Sequence, residues 1–228
     1  MIEEKSRKEL KEELEEPDPF LETIGRMLAF GKQYQQQIVA AVCGIVALAL
    51  VITGTIYFNN RTEDKAAVLF GKAITAYTAL GKDAPAAGLE ESKKSFKTIV
   101  DKYGSTGAGK AALIYYADVC YTTKNFDEAI DAYTKALGAF DGSGFKNLIL
   151  NGLAYSYEGK GDYEKAASHF EMIVSDKSAA MVDQALFNLG RIYEKMGKAK
   201  QAKETFARLV KEFPDSMYFS LASEKIAG

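Results

Sequence analysis

The run Ile38–Phe58, IVAAVCGIVALALVITGTIYF, holds 21 residues and no charge. A helix rising about 1.5 Å per residue makes such a run roughly 31 Å long, the thickness of a bilayer's hydrocarbon core. Inside hydrocarbon a helix satisfies its own backbone groups, and these side chains add almost no polar cost. Gly44, Thr53, Gly54 and Thr55 are compatible with a spanning helix, and Tyr57 and Phe58 stand where interfacial aromatics gather. A buried helix of a soluble protein rarely reaches this length without a charge. A cleavable signal has a core of ~7–15 apolar residues and a small-x-small exit. This run starts only after residue 37 and lacks that exit. Cys43 follows Val42 near the start of the run, whereas a lipid-bearing cysteine would follow the run. The segment reads as an uncleaved single-pass anchor.

Charge does not orient it. Arg26 and Lys32 flank one side; Arg61, Lys65 and Lys72 flank the other. The tail 1–37 carries six basic and nine acidic residues, leaving 23 basic and 22 acidic in the remainder. A near-neutral remainder gives no electrostatic footprint for nucleic acid. The two cysteines, Cys43 in the run and Cys120 beyond it, cannot pair within one chain. Residues 3–16 read as a solvated helix or disordered arm, stopped by Pro17 and Pro19. Phe20, Leu21, Ile24, Met27 and Leu28 then share one helical face. That face suits an interfacial lead-in to the anchor, or docking on the chain's own domain.

After the run the chain is helical and self-similar. Gly190 is followed by Tyr193, Ala202, Phe206 and Pro214. The same spacings link Ala154, Tyr157, Ala166, Phe170 and Ser178, and again Ala117, Cys120, Ala129, Tyr133 and Asp141. Leu113, Leu150 and Leu186 each precede the small residue by four, and the periods are 37 and 36 residues. A small residue on one helix and an alanine on the next let two helices approach closely, while the aromatic and leucine positions fill the space toward the following pair. Gly161 and Gly197 fall at the turns, where positive φ costs glycine little. One pair cannot bury its apolar face alone, so pairs stack.

This pattern resembles the tetratricopeptide repeat, most fully in 183–216. The units 110–146 and 147–182 lack its proline, and Cys120 stands where tyrosine is usual. Upstream, 62–103 reads as a degenerate pair, with Leu69, Phe70, Ile74 and Tyr77 before a loop at Lys82–Pro85 and Phe96, Ile99 and Val100 after it. The end, 216–227, reads as a capping helix. The expected architecture is all-α: a tail 1–37, a transmembrane helix 38–58, and a tetratricopeptide-repeat α-solenoid over 59–228.

Three features invite a chemical reading. Residues 104–111, GSTGAGKA, match a phosphate-binding loop except that Ala111 replaces its metal-binding hydroxyl. The helical spacing of Phe96, Ile99, Val100 and Tyr103 also replaces the strand that precedes such a loop. A nucleotide-dependent membrane protein using Lys110 is thus a remote alternative, and the stretch reads instead as an inter-repeat turn. His169 is the single histidine, read as a surface or half-buried helix residue rather than a zinc ligand. Asp127–Glu128 and Glu90–Glu91 read as helix starts favoured by the helix dipole, not as an acid/base pair. No catalytic residue, metal site or cofactor is expected.

The resemblance implies that the first helix of each pair lines a concave groove that binds peptide or protein segments. The matching positions are Ile114, Asp118 and Tyr121, then Asn151, Tyr155 and Glu158, then Phe187, Arg191 and Glu194. Members that bind acidic chaperone tails use a lysine and asparagine clamp. Ile114, Asp118, Asn151 and Tyr155 occupy those places here, so that ligand is not supported. Tyrosines and Phe187 favour apolar or extended segments, with Arg191 available for a carboxylate. The alternative is that some of these residues pack on the anchor-proximal helix or a second subunit. The order of parts is similar to that of the ancillary subunits of the bacterial Sec translocon, which have a cytoplasmic N-terminus, an inner-membrane anchor and a periplasmic tetratricopeptide domain that cooperates with chaperones. The resemblance implies an adaptor of that kind; a scaffold for cytochrome maturation, division or outer-membrane assembly is the alternative.

Overall fold

The computed structural model describes residues 19–81, 83–140, 144–176 and 181–227. The charged stretch 3–16 lies outside the described residues, as do Asp141 and Ser178 of the repeat pattern. Among the described residues the regular structure is helical throughout: α1 (Pro19–Gln33), α2 (Gln35–Ala79), α3 (Ala86–Tyr103), α4 (Gly107–Thr122), α5 (Phe126–Ala139), α6 (Lys146–Lys160), α7 (Tyr163–Ser175), α8 (Val182–Lys195), α9 (Ala199–Glu212) and α10 (Phe219–Ala227). The chain divides into two compact units, 1–59 and 60–228, and α2 contributes residues to both.

In the first unit, α1 holds Phe20, Leu21, Ile24, Met27 and Leu28 exposed on its apolar face. Arg26 pairs with Glu22 one turn earlier, on the polar side. The apolar part of α2 is exposed almost throughout. Its threonine hydroxyls donate to carbonyls of the same helix, Thr53 to Ala49 at 2.7 Å and Thr55 to Ile52 at 2.8 Å. Neither leaves an unsatisfied donor in an apolar surrounding. By length and composition this helix is able to cross a membrane.

In the second unit each helix from α3 onward packs on the next, and α4 also touches α6. Such packing of each helix on its near neighbours along the chain makes an α-solenoid, the fold that the repeat spacing predicts. The reason for the motif is visible in its last unit. A Cβ placed on Gly190 of α8 would lie 2.5 Å from Cε1 of Phe206 on α9, so glycine lets that ring sit where any larger residue would force it to shift. Ala117, Ala154, Ala129, Ala166 and Ala202 are likewise buried at the small positions. The motif also fixes the turns. Asn125, Asp162 and Lys198 donate their N–H groups to the carbonyls of Cys120, Tyr157 and Tyr193 at 2.8, 2.9 and 2.9 Å. These closures need a left-handed residue just before the donor. Gly161 (φ 83°) and Gly197 (φ 72°) supply it, and Lys124 (φ 60°) takes the same strained place one period earlier.

The pair formed by the end of α2 and α3 lacks the motif and packs by rings instead. Phe96 is fully buried, stacks on Tyr115 at 5.4 Å, and meets the edge of Tyr77 at 5.9 Å. Phe70 meets Tyr115 at 5.6 Å. Helix α3 begins at Ala86 and has no acid in its first turn, so Glu90 and Glu91 are not a helix start. The loop signal at Pro85 ends closer to the helix than the acidic pair suggests. Asp127 and Glu128 do lie in the first turn of α5.

Candidate protein-binding groove

The expected groove residues come from α4, α6 and α8 at spacings of three and four, which place each trio on one helical face. All are half-buried except Glu194, which is exposed. Most of them link one first helix to the next. Tyr121 of α4 lies 6.2 Å from the ring of Tyr155 on α6. The Tyr155 hydroxyl accepts from Asn188 Nδ2 on α8 at 2.7 Å, and its ring meets Phe170 edge-on at 5.6 Å. Glu158, whose side chain is 12% exposed, pairs with Arg191 at 3.4 Å and Lys195 at 2.6 Å. Glu194 pairs with Lys225 of α10 at 3.0 Å, and Phe187 stacks on Tyr218 at 4.9 Å. At the other end, Asp118 accepts from the Tyr77 hydroxyl of α2 at 2.7 Å. Asn151 is half-buried on the same face of α6.

Arg191 is therefore not standing open for a ligand carboxylate. Its Nη2 pairs with Glu158 and its Nη1 donates to Asn188 Oδ1 at 3.0 Å. Residues that the motif did not single out complete the ladder: Tyr77, Asn188, Lys195, Tyr218 and Lys225. Lys195 follows Arg191 by four on the same face, and Tyr77 stood out only as an apolar position of the first pair. Burial, followed by the Asp118 hydrogen bond, pushes the Tyr77 hydroxyl well above its ordinary range. Burial and the neighbouring Glu158 charge push Tyr121 in the same direction. Both phenols stay neutral donors across the physiological range.

Toward the start of the groove a cavity of about 440 Å³ opens between α4 and α6. Ile114 and Asp118 line it with Tyr115, Tyr133, Phe145 and Leu148. Of the expected residues these two alone face that space; the other seven lie farther along the solenoid.

The glycine-rich turn 104–111 has a different occupation from the one its motif suggests. Thr106 caps α4, its Oγ1 accepting from Gly109 N at 2.9 Å. The N–H groups of Gly107 and Ala108 donate to Glu63 Oε2 and Oε1 of α2 at 2.9 and 3.0 Å. The position that a phosphate would take at a helix N-terminus thus holds the chain's own carboxylate. Gly109 is needed for packing, because its Cβ would fall 1.8 Å from the Tyr103 carbonyl oxygen. Glu128 also does more than favour a helix dipole. It accepts from Lys93 at 2.8 Å, the Tyr116 hydroxyl at 3.0 Å and Cys120 Sγ at 3.5 Å, joining α3, α4 and α5. The Lys93 hydrogen bond holds its carboxyl below the usual range. Burial pushes the Cys120 thiol up to about 11, which keeps it an unreactive thiol at neutral pH. His169 is half-buried and stacked on Tyr157 at 5.4 Å, its Nδ1 without a hydrogen-bond partner among the described residues. Burial lowers its pKa.

Comparison with known proteins places this geometry. A curated relative, a TPR repeat-containing protein of Treponema pallidum (strain Nichols), is 25% identical over 109 residues, covering 48% of this chain and 46% of its own length. The chain thus spans about half the length of that relative. A tetratricopeptide repeat protein from Parabacteroides merdae superposes with a TM-score of 0.56 at 18% identity, over 69% of this chain and 59% of the other. MamA from Desulfovibrio magneticus RS-1 gives 0.55 at 14%, over 66% and 78%. Pseudomonas aeruginosa PilF gives 0.53 at 19%, over 74% and 68%. At these identities the structures show a shared fold. The family model described as a tetratricopeptide repeat-like domain matches residues 29–224. The chain belongs to the tetratricopeptide repeat-like domain family.

Proposed function

We propose that this protein is a non-enzymatic adaptor, anchored in a membrane, whose solenoid binds protein partners, and that it acts beside the Sec translocon with periplasmic chaperones. Tetratricopeptide solenoids are protein-interaction scaffolds, which supports the adaptor half. The observation that carries the membrane half is one continuous helix, Gln35–Ala79, that holds the charge-free run and then supplies the first helix of the solenoid. The family match begins at residue 29, so the run belongs to the matched stretch rather than to an appendage. The order of parts, tail then apolar helix then divergent solenoid, supports the translocon placement by analogy. In this reading the N-terminus is cytoplasmic and the solenoid periplasmic. Glu63 on the amides of Gly107 and Ala108 speaks against nucleotide binding at the glycine-rich turn.

Crosslinking in intact membranes followed by pull-down of the full chain tests the partner assignment. Translocon subunits and a periplasmic chaperone are expected. Division, cytochrome-maturation or outer-membrane assembly proteins in their place would move the protein to the other scaffold class. Lys72 is exposed on α2 beyond the apolar run. A Lys72→Cys variant should react with an impermeant maleimide in spheroplasts; reaction only after the membrane is broken would reverse the orientation.

A further inference from the structure

The groove face carries three carboxylates, and their charges are treated differently. Glu158 is balanced by Arg191 and Lys195, and Glu194 by Lys225. Asp118 receives only the neutral Tyr77 hydroxyl at 2.7 Å, and among the described residues no cation forms an ion pair with it. The carboxylate is half-buried and, among the described residues, has no paired cation. Beside it lies the cavity of about 440 Å³, walled by Ile114, Tyr115, Tyr133, Phe140, Phe145 and Leu148, where Asp118 is the single charged lining residue among the described residues. Leu148 and Phe145 are 45% and 51% exposed, so apolar surface reaches solvent there. The volume sits at the small end of ligand pockets, which run ~300–1,000 Å³, and suits one or two large side chains rather than a folded surface.

We infer that this cavity receives a bulky apolar side chain of an extended partner segment, and that Asp118 pairs with a lysine or arginine next to it. The inference rests on the protein-binding reading of the solenoid and not on its membrane placement. An apolar side chain gains from leaving water, and the adjacent cation meets a charge that no cation among the described residues pairs with. The same carboxylate repels an acidic neighbour, so the pair of features selects sign as well as bulk. This preference is opposite in charge to the clamp that reads acidic tails.

The test uses the full chain in detergent micelles and fluorescein-labelled Gly-Ser peptides that carry Phe-Lys, Phe-Glu or Ala-Lys at the centre. Fluorescence anisotropy should show the Phe-Lys peptide binding about fivefold or more tightly than either of the others, with the margin over Phe-Glu shrinking in high salt. Asp118→Asn keeps the side-chain shape and should bring Phe-Lys down to the level of Phe-Glu. Equal affinity for the three peptides, absence of Phe-Lys binding at millimolar concentration, or an undiminished preference in Asp118→Asn would overturn the inference. If solenoid crosslinks capture proteins from membranes while the peptides show no preference, the adaptor reading stands and this inference falls. If crosslinks placed along the solenoid capture nothing, the adaptor reading itself falls.

Discussion

The two ends of the solenoid reach the same packing by different means. Between α8 and α9, Gly190 leaves room for the Phe206 ring, and Ala202 of α9 is buried. Between the end of α2, α3 and α4, four rings meet one another: Phe70, Tyr77, Phe96 and Tyr115. A carboxylate on a helix N-terminus, Glu63 on Gly107 and Ala108, adds a polar tie that the regular repeats do not use in that form. The motif therefore marks room left by a small residue for a ring, and its loss in the first pair marks a change of filler. Ring packing is a full substitute, since Phe96 and Phe206 are both completely buried.

The largest effects should come from the two buried rings. Phe206→Ala and Phe96→Ala should each lower the unfolding free energy by about 3–5 kcal/mol in urea titrations of the full chain. A negligible cost for Phe96→Ala would break the equivalence of the two ends. The next contrast uses glycines. Gly190→Ala should cost about 1–3 kcal/mol because the Phe206 ring must shift. Gly71→Ala on α2, where nothing lies within 4 Å of the added Cβ, should instead raise stability by about 0.5–1 kcal/mol. Glu63→Gln removes a charge from the start of α4 and should cost about 0.5–2 kcal/mol. Hydrogen exchange should show the loss over 104–112 and leave 199–212 protected.

The smallest effect is acid sensitivity at His169. Burial lowers its pKa in the folded chain, so below about pH 6.5 the unfolded imidazole takes a proton that the folded one resists. Its contribution is present above that pH and is lost as pH falls. His169→Gln should flatten this part of the stability–pH curve, and an unchanged curve between pH 7 and 5 would place the acid sensitivity elsewhere.

Much of this molecule is written in local spacing. The small, aromatic and glycine positions recur with the period of a helix pair, and each acts on neighbours a few turns away in the chain. Their spacing alone was enough to specify paired helices, left-handed turns at Gly161 and Gly197, and an α-solenoid. The charge-free run is equally local, because a helix closes its hydrogen bonds within itself. What no spacing could state is which charges meet across repeats. Glu63 reaches the amides of Gly107 and Ala108 across 44 and 45 positions, and Arg191 reaches Glu158 across 33. Those pairings depend on the rotation of one helix against another, which is set by the whole packed array. The same rotation leaves Asp118 beside an apolar cavity with, among the described residues, a phenol as its side-chain partner. The repeat and the apolar run follow from local spacing, whereas the pairing of Glu158 and Glu194 and the lack of a paired cation at Asp118 among the described residues follow from how the helices pack.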